Sequence, residues 1–265
     1  MKLDILAISA HPDDIELACS GTLIAHEAMG YKTGILDLTE GEMSTRGTPD
    51  IRQKESAEAS KIMRLCMREN LGLPDTKFDV GFENQLRVIK ILRRFQPEII
   101  LANALYDRHP DHVRAAKLIE ESVFKSGLVK IETEDSKGSQ SPWTPRRVYN
   151  YIQSISLEPD FICDISAHME QKMAAIRVFK SQFFDPNSNA PDTYISNPEF
   201  LTLIEARSRE LGHRIGVSYG EGFVNRQFLG IKNLFMIGTN IYPTIGVTNP
   251  TWTLMVLSKR LSKFI

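Results

Sequence analysis

Short apolar runs alternate along this chain with longer segments in which apolar residues return every three or four positions. Leu3 to Ser9 is a largely apolar run, as expected of a strand buried on both faces. Ile15 to Met29 carries apolar residues at helical spacing, with Gly30 placed to end the helix. Thr33 to Leu38 reads as the next strand, Thr39 to Asp50 as a long polar loop and Ile51 to Met63 as a helix. A short strand near Arg68 to Leu71, a helix from Glu83 to Phe95 and a strand from Glu98 to Asn103 follow. Pro110 then opens a helix that runs to Lys125.

Glu132 to Pro145 has no apolar period and reads as an exposed loop. Beyond it, Arg147 to Gln153 and Phe161 to Ile165 read as strands, and His168 to Lys180 and Pro198 to Leu211 as helices. Phe183 to Asn197 reads as a structured loop. Repeated strand–helix units predict an α/β fold, a Rossmann-like three-layer sandwich with a mostly parallel central sheet. No Pro/Gly/Ser-rich linker divides the 265 residues, so one domain spanning 1–265 is expected. Residues 231–265 form an atypical extension, apolar and rich in Thr, Asn and Pro.

Charge narrows the classes of partner. A net charge of -1 gives no electrostatic case for nucleic acid or an anionic membrane. No apolar stretch reaches the roughly 20 residues that span a bilayer. Lys2 and Asp4 flank the first strand without a cleavable signal pattern, and a cytoplasmic location is expected. Cys19, Cys66 and Cys163 are far apart and read as buried small apolar residues, not as a disulfide framework or a cysteine zinc site.

The chemistry lies at two strand ends. Ala10-His11-Pro12-Asp13-Asp14-Ile15-Glu16 follows the first strand, and His11 with Asp14 could hold a zinc-like cation. Asp13, between them, is then free to act on a water beside that ion. The bland alternative is an aspartate capping the next helix, with His11 filling the turn. Arg108-His109-Pro110-Asp111-His112 follows the fourth strand. His109 and His112 share a helix face; one imidazole could bind metal while the other faces substrate, and Asp111 could orient an imidazole. Ligands in such folds lie beyond the carboxyl ends of parallel strands, so the two loops should meet. A nucleotide-binding module without catalysis would need a glycine-rich turn after the first strand. Here that turn carries His11, Asp13 and Asp14, and its acids repel phosphate.

These two motifs resemble the signatures of the PIG-L/LmbE-like zinc N-deacetylases. The likeness extends to Asp37-Leu38-Thr39-Glu40-Gly41-Glu42, Arg52-Gln53-Lys54-Glu55, Leu71-Gly72-Leu73-Pro74-Asp75, Ser181-Gln182-Phe183 and Tyr219-Gly220-Glu221-Gly222-Phe223. Those blocks are most similar to the branch that deacetylates N-acetylglucosaminyl malate in bacillithiol biosynthesis. The resemblance implies one Zn2+ per subunit, with His11, Asp14 and His112 as ligands and Asp13 as general base. It implies that His109 stabilises the tetrahedral intermediate and protonates the leaving amine, with Asp111 as its partner. By the same likeness Arg52 binds the malate carboxylate and Tyr194 reaches the oxyanion. A helix-surface arginine is the bland alternative for Arg52. Glu221 reads as part of a structural turn, with support of the active site as the alternative. The expected partner is a small N-acetyl sugar substrate, malyl or another N-acetylglucosamine conjugate. A homo-oligomer is also implied, a hexamer being one form.

Overall fold

The computed structural model describes residues 1–186 and 189–225. The extension at 231–265 lies outside the described residues. Nine strands are described: β1 (Ile5–Ser9), β2 (Thr33–Thr39), β3 (Met67–Leu73), β4 (Ile99–Ala102), β5 (Glu134–Asp135), β6 (Gly138–Ser139), β7 (Arg147–Tyr151), β8 (Phe161–Asp164) and β9 (Gly220–Asn225). The helices are α1 (Asp14–Ala18), α2 (Ser20–Ala28), α3 (Pro49–Ile62), α4 (Phe82–Phe95), α5 (Pro110–Ser126), α6 (Met169–Arg177) and α7 (Phe200–Arg214).

Seven strands form the central sheet in the order β3-β2-β1-β4-β7-β9-β8. The first five are mutually parallel. β9 runs antiparallel to both β7 and β8. The chain leaves β1 toward β2 on one side and later returns to β4 on the other. This reversal opens a crevice beyond the carboxyl ends of β1 and β4, where such sheets place their ligands.

The period of two along β1 divides the core. Leu6 and Ile8 face the layer of α4 and α5, packing with Leu36, Leu38, Val88, Leu92 and Ile119. Ile5 and Ala7 face the opposite layer, with Ile15, Leu23, Ile35, Tyr151 and Phe223. A third cluster joins α3, α6 and α7 through Ala59, Met173, Ile176, Phe179 and Ile204. Burial on both faces is what the continuous apolar run of β1 records.

Four expectations need correction. The segment 15–29 is two helices, because the backbone at Cys19 leaves the helical region (φ -141°) and α2 starts afresh at Ser20. In an unbroken helix the Gly21 N–H would bond the Leu17 carbonyl. Here Gly21 N–H donates to Glu221 Oε1 at 3.0 Å, and the Leu17 carbonyl accepts from Arg207 Nη2 at 2.9 Å and Lys172 Nζ at 3.2 Å. Both halves of the missing bond are satisfied from the distant end of the chain. Glu221 is accordingly in strand β9, not in a turn, and it also accepts from Thr22 N–H at 2.7 Å and Lys172 Nζ at 2.6 Å. The loop 132–145 contains the two-residue hairpin strands β5 and β6. Of the cysteines, Cys19 is buried but Cys66 is exposed. Among the described residues no helix is long and apolar enough to cross a membrane.

Candidate metal centre

Both histidine loops meet at the crevice. β1 ends at Ser9, and the turn that follows enters α1 through Asp13, whose φ of 102° and ψ of -25° lie in the left-handed region. A non-glycine residue held there costs about 1–3 kcal/mol. Such cost concentrates where side-chain placement matters. Asp13 does not cap α1 with its side chain. Its carboxylate instead pairs with Arg52 Nη2 at 3.1 Å, which removes the capping alternative. The main-chain N–H of His11 donates to Asp14 Oδ2 at 3.0 Å and closes the turn on itself.

The second loop leaves β4 and enters α5 with His109 as the residue before the first turn and Pro110 at its start. Three imidazoles converge: the His11 and His109 rings are 4.9 Å apart, His109 and His112 4.9 Å, and His11 and His112 5.6 Å. His112 Nε2 lies 3.0 Å from Asp14 Oδ1, and His11 Nδ1 lies 3.7 Å from Asp14 Oδ2. On its far side His11 Nε2 faces Asp75 Oδ1 at 3.1 Å and Asp111 Oδ2 at 3.5 Å.

Hydrogen bonds around this cluster fix which nitrogen faces inward. His112 Nδ1 is 2.9 Å from Asp107 Oδ1, so its hydrogen belongs on that side. The Nε2 lone pair then points at a carboxylate oxygen of Asp14. Two electron-pair donors at 3.0 Å need a cation or a proton between them. Asp14 is held by two amides, Gln153 Nε2 donating to Oδ1 at 3.1 Å and Asn103 Nδ2 donating to Oδ2 at 3.3 Å. His109 differs from the other two rings. Its Nδ1 accepts the main-chain N–H of Asp111 at 3.3 Å, so the neutral ring carries its hydrogen on Nε2. The carboxylate of Asp111 turns away to His11, Arg114 and the Thr76 N–H, and its link to His109 is the main chain.

The charges follow this arrangement. Burial opposes ionisation of Asp14, but His112 and His11 outweigh it and hold the carboxyl well below its ordinary range. Burial likewise opposes charge on His112, yet Asp14 and Asp107 bring it up to about 9. His11 is raised well above an ordinary histidine against the same burial, through Asp111, Asp14 and Asp75. His109 goes the other way, lowered by burial and by the charges of His11 and His112. Asp13 is pushed up to about 7, chiefly by burial, with Arg52 opposing.

Arg52 is 4% exposed, which removes the reading of a helix-surface arginine. Its guanidinium is engaged by Asp13 and the Pro12 carbonyl. Tyr194 lies against Arg108, the residue before His109. It is 48% exposed in a single 3-10 turn, Tyr194–Ser196, its ring 4.0 Å below the Arg108 guanidinium and edge-on to Phe200. Asp107, Gln153 and Asn103 escaped the sequence reading. Asp107 sits in the loop that leads through His109 into α5 and His112. Gln153 and Asn103 are betrayed only by position, since each follows the carboxyl end of a parallel strand. Asp75 stood within a motif block but without a role.

Comparison with known proteins places this geometry. The family model PIG-L, described as GlcNAc-PI de-N-acetylase, matches residues 6–123. The structure of conserved protein TT1542 from Thermus thermophilus superposes with a TM-score of 0.76 at 39% identity, covering 85% of this chain and 95% of that one. The chain belongs to the PIG-L family. N,N'-diacetylchitobiose deacetylase from Pyrococcus horikoshii gives a TM-score of 0.70 at 30% identity, covering 83% of this chain and 82% of its own. Among curated relatives, diacetylchitobiose deacetylase of Thermococcus kodakarensis is 29% identical over 86% of this chain and 85% of its own length. A Bacillus anthracis protein named "Probable N-acetyl-alpha-D-glucosaminyl L-malate deacetylase 2" is 25% identical over 45% of this chain and 58% of its own. Membership in the PIG-L family is therefore firm, whereas affinity to the bacillithiol branch is no stronger than to the chitobiose enzymes. As a PIG-L protein the chain is a hydrolytic N-deacetylase.

Proposed function

We propose that this PIG-L enzyme removes the acetyl group from a conjugate of N-acetylglucosamine, with Zn2+ held by His11, Asp14 and His112. The observation that carries the reading is the facing pair His112 Nε2 and Asp14 Oδ1, with Asp13 beside them and committed to no metal-directed contact. Two imidazoles and a carboxylate, with a position left open, are a donor set suited to catalytic zinc. When bound, the cation supplies Lewis acidity to the amide carbonyl and lowers the pKa of a neighbouring water.

The chain's own groups do the rest. Asp13, buried beside Asp14, accepts the proton of the attacking water. Arg52 holds that carboxylate in place through the 3.1 Å pair. His109 presents Nε2–H to the carbonyl oxygen as negative charge gathers there, a donor of the kind worth about 3 kcal/mol. The departing amine takes the proton that Asp13 accepted from water, because the neutral His109 ring, its Nδ1 engaged by Asp111 N–H, has none to give. His109 is not counted among the ligands, because its inward nitrogen carries the hydrogen.

N-acetylglucosaminyl malate is the substrate that the motif blocks favour. Diacetylchitobiose is the second reading, favoured by the identity and coverage of the two chitobiose relatives. Acetate release should be measured on both compounds with wild type, Asp13→Ala and a chelated sample. Turnover of one of them is expected, with its loss in both controls. Full activity in Asp13→Ala, or no turnover of any N-acetylglucosamine conjugate, would overturn the proposal.

A further inference from the structure

Arg207, on α7, takes part in none of the chemistry above. It pairs with no carboxylate among the described residues. Its fork instead bonds two main-chain carbonyls, Leu17 through Nη2 at 2.9 Å and Gln153 through Nη1. These two carbonyls belong to the two supports of one side chain. Leu17 lies in α1, the five-residue helix that begins with Asp14. Gln153 donates its amide to Asp14 Oδ1 at 3.1 Å.

The amide cannot be turned round. Gln153 Oε1 accepts from Asn103 Nδ2 and from Ala104 N–H, both at 3.1 Å, which leaves Nε2 aimed at Asp14. The Leu17 carbonyl, for its part, is available only because the helix breaks at Cys19 and Gly21 N–H goes to Glu221. A planar guanidinium is suited to bridging two fixed acceptors, where an ammonium could satisfy the same charge without the same geometry.

We infer that Arg207 is a positioning residue for the metal-binding carboxylate Asp14, setting the helix that carries it and the glutamine that orients it. The inference rests on Asp14 being a ligand. Electrostatics alone makes the opposite forecast: removing a nearby positive charge should tighten the hold on a cation. Positioning makes it weaken.

The test uses the full-length protein, stripped of metal and titrated with Co2+, following the visible absorption band and competition with a chelator. Arg207→Ala should weaken binding roughly tenfold to a hundredfold, as loss of outer hydrogen bonds around a metal does, and should shift the band. Arg207→Lys keeps the charge and should fall between. Gln153→Leu, which leaves Arg207 in place, should weaken binding in the same direction and serves if Arg207→Ala does not fold. Unchanged or tighter binding with an unaltered band, even alongside a lowered melting temperature, would overturn the inference. Failure of the wild type to bind Co2+, or equal binding by Asp14→Ala, would instead overturn the reading of the site itself.

Discussion

Asp75 Oδ1 lies 3.1 Å from His11 Nε2, across 64 positions of sequence, and so faces the ring nitrogen that does not point toward Asp14. A carboxylate behind a histidine fixes its tautomer and raises its strength as a ligand. Asp75 is itself held by Met43 N–H on its other oxygen at 3.1 Å. Asp75→Asn should therefore weaken metal binding roughly tenfold or more while leaving the fold intact. Isothermal titration of the stripped protein checks it; wild-type affinity would rule the contact unimportant.

Asp13 should separate chemistry from metal binding. On the proposed mechanism Asp13→Asn removes the base but not a ligand, so kcat should fall by roughly two to four orders of magnitude with metal content unchanged. A bound cation favours the ionised carboxylate and draws Asp13 below its metal-free value of about 7. The acid limb of the pH–rate profile should accordingly lie below pH 7. A limb above it would contradict the assignment.

The same residue makes a prediction about the stripped protein. A carboxyl raised from 3.8 to about 7 by folding takes up protons more readily in the native state than unfolded. Stability is then lost as pH rises from about 4 to about 7. Asn imitates the neutral form and tolerates the left-handed backbone at this position. Metal-free Asp13→Asn should be more stable than wild type at pH 8 and match it at pH 4. Calorimetry at the two pH values decides, and equal differences at both would refute it.

Glu221→Gln should be costly away from any substrate. It leaves Lys172, 1% exposed at its side chain, without its counter-charge. Breaking such a buried pair costs about 3–5 kcal/mol. Denaturant unfolding should show the loss as a lower midpoint; a change under about 0.5 kcal/mol, the range of ordinary surface substitutions, would mean the pair is dispensable.

The cysteines offer a simple check on the packing. Burial raises the Cys19 thiol well above its usual range and pushes Cys163 up to about 12, while Cys66 is exposed. Native protein at pH 8 should consume one equivalent of a thiol reagent and, in denaturant, three. Mass spectrometry should find the native label on Cys66.

What the sequence revealed was local. The apolar run of β1 and the helical spacing before Gly30 each depend on neighbours a few positions away, and both were legible. The His11 and His112 loops were placed together by a topological rule that needs only strand order. The break at Cys19 was hidden, because it is sustained by Glu221 from 200 positions away and the local pattern of 15–29 is that of one helix. Gln153 was hidden for the same reason, being joined to Asp14 across 139 positions. Arg52 and Asp111 show a related limit. A guanidinium or a carboxylate can be recognised in a motif, but its orientation is decided by whichever opposite charge the fold delivers beside it.

The reversed strand β9 is also the last described element of the sheet, and it brings Glu221 to the start of α2. During synthesis from the amino terminus, His11, Asp14 and His112 all leave the ribosome more than a hundred residues before that acid does. On the proposed ligand set, the nascent chain carries all three metal-binding side chains while the helix behind them is still unfastened. The proposed site would then gain its Glu221 fastening only at the end of synthesis.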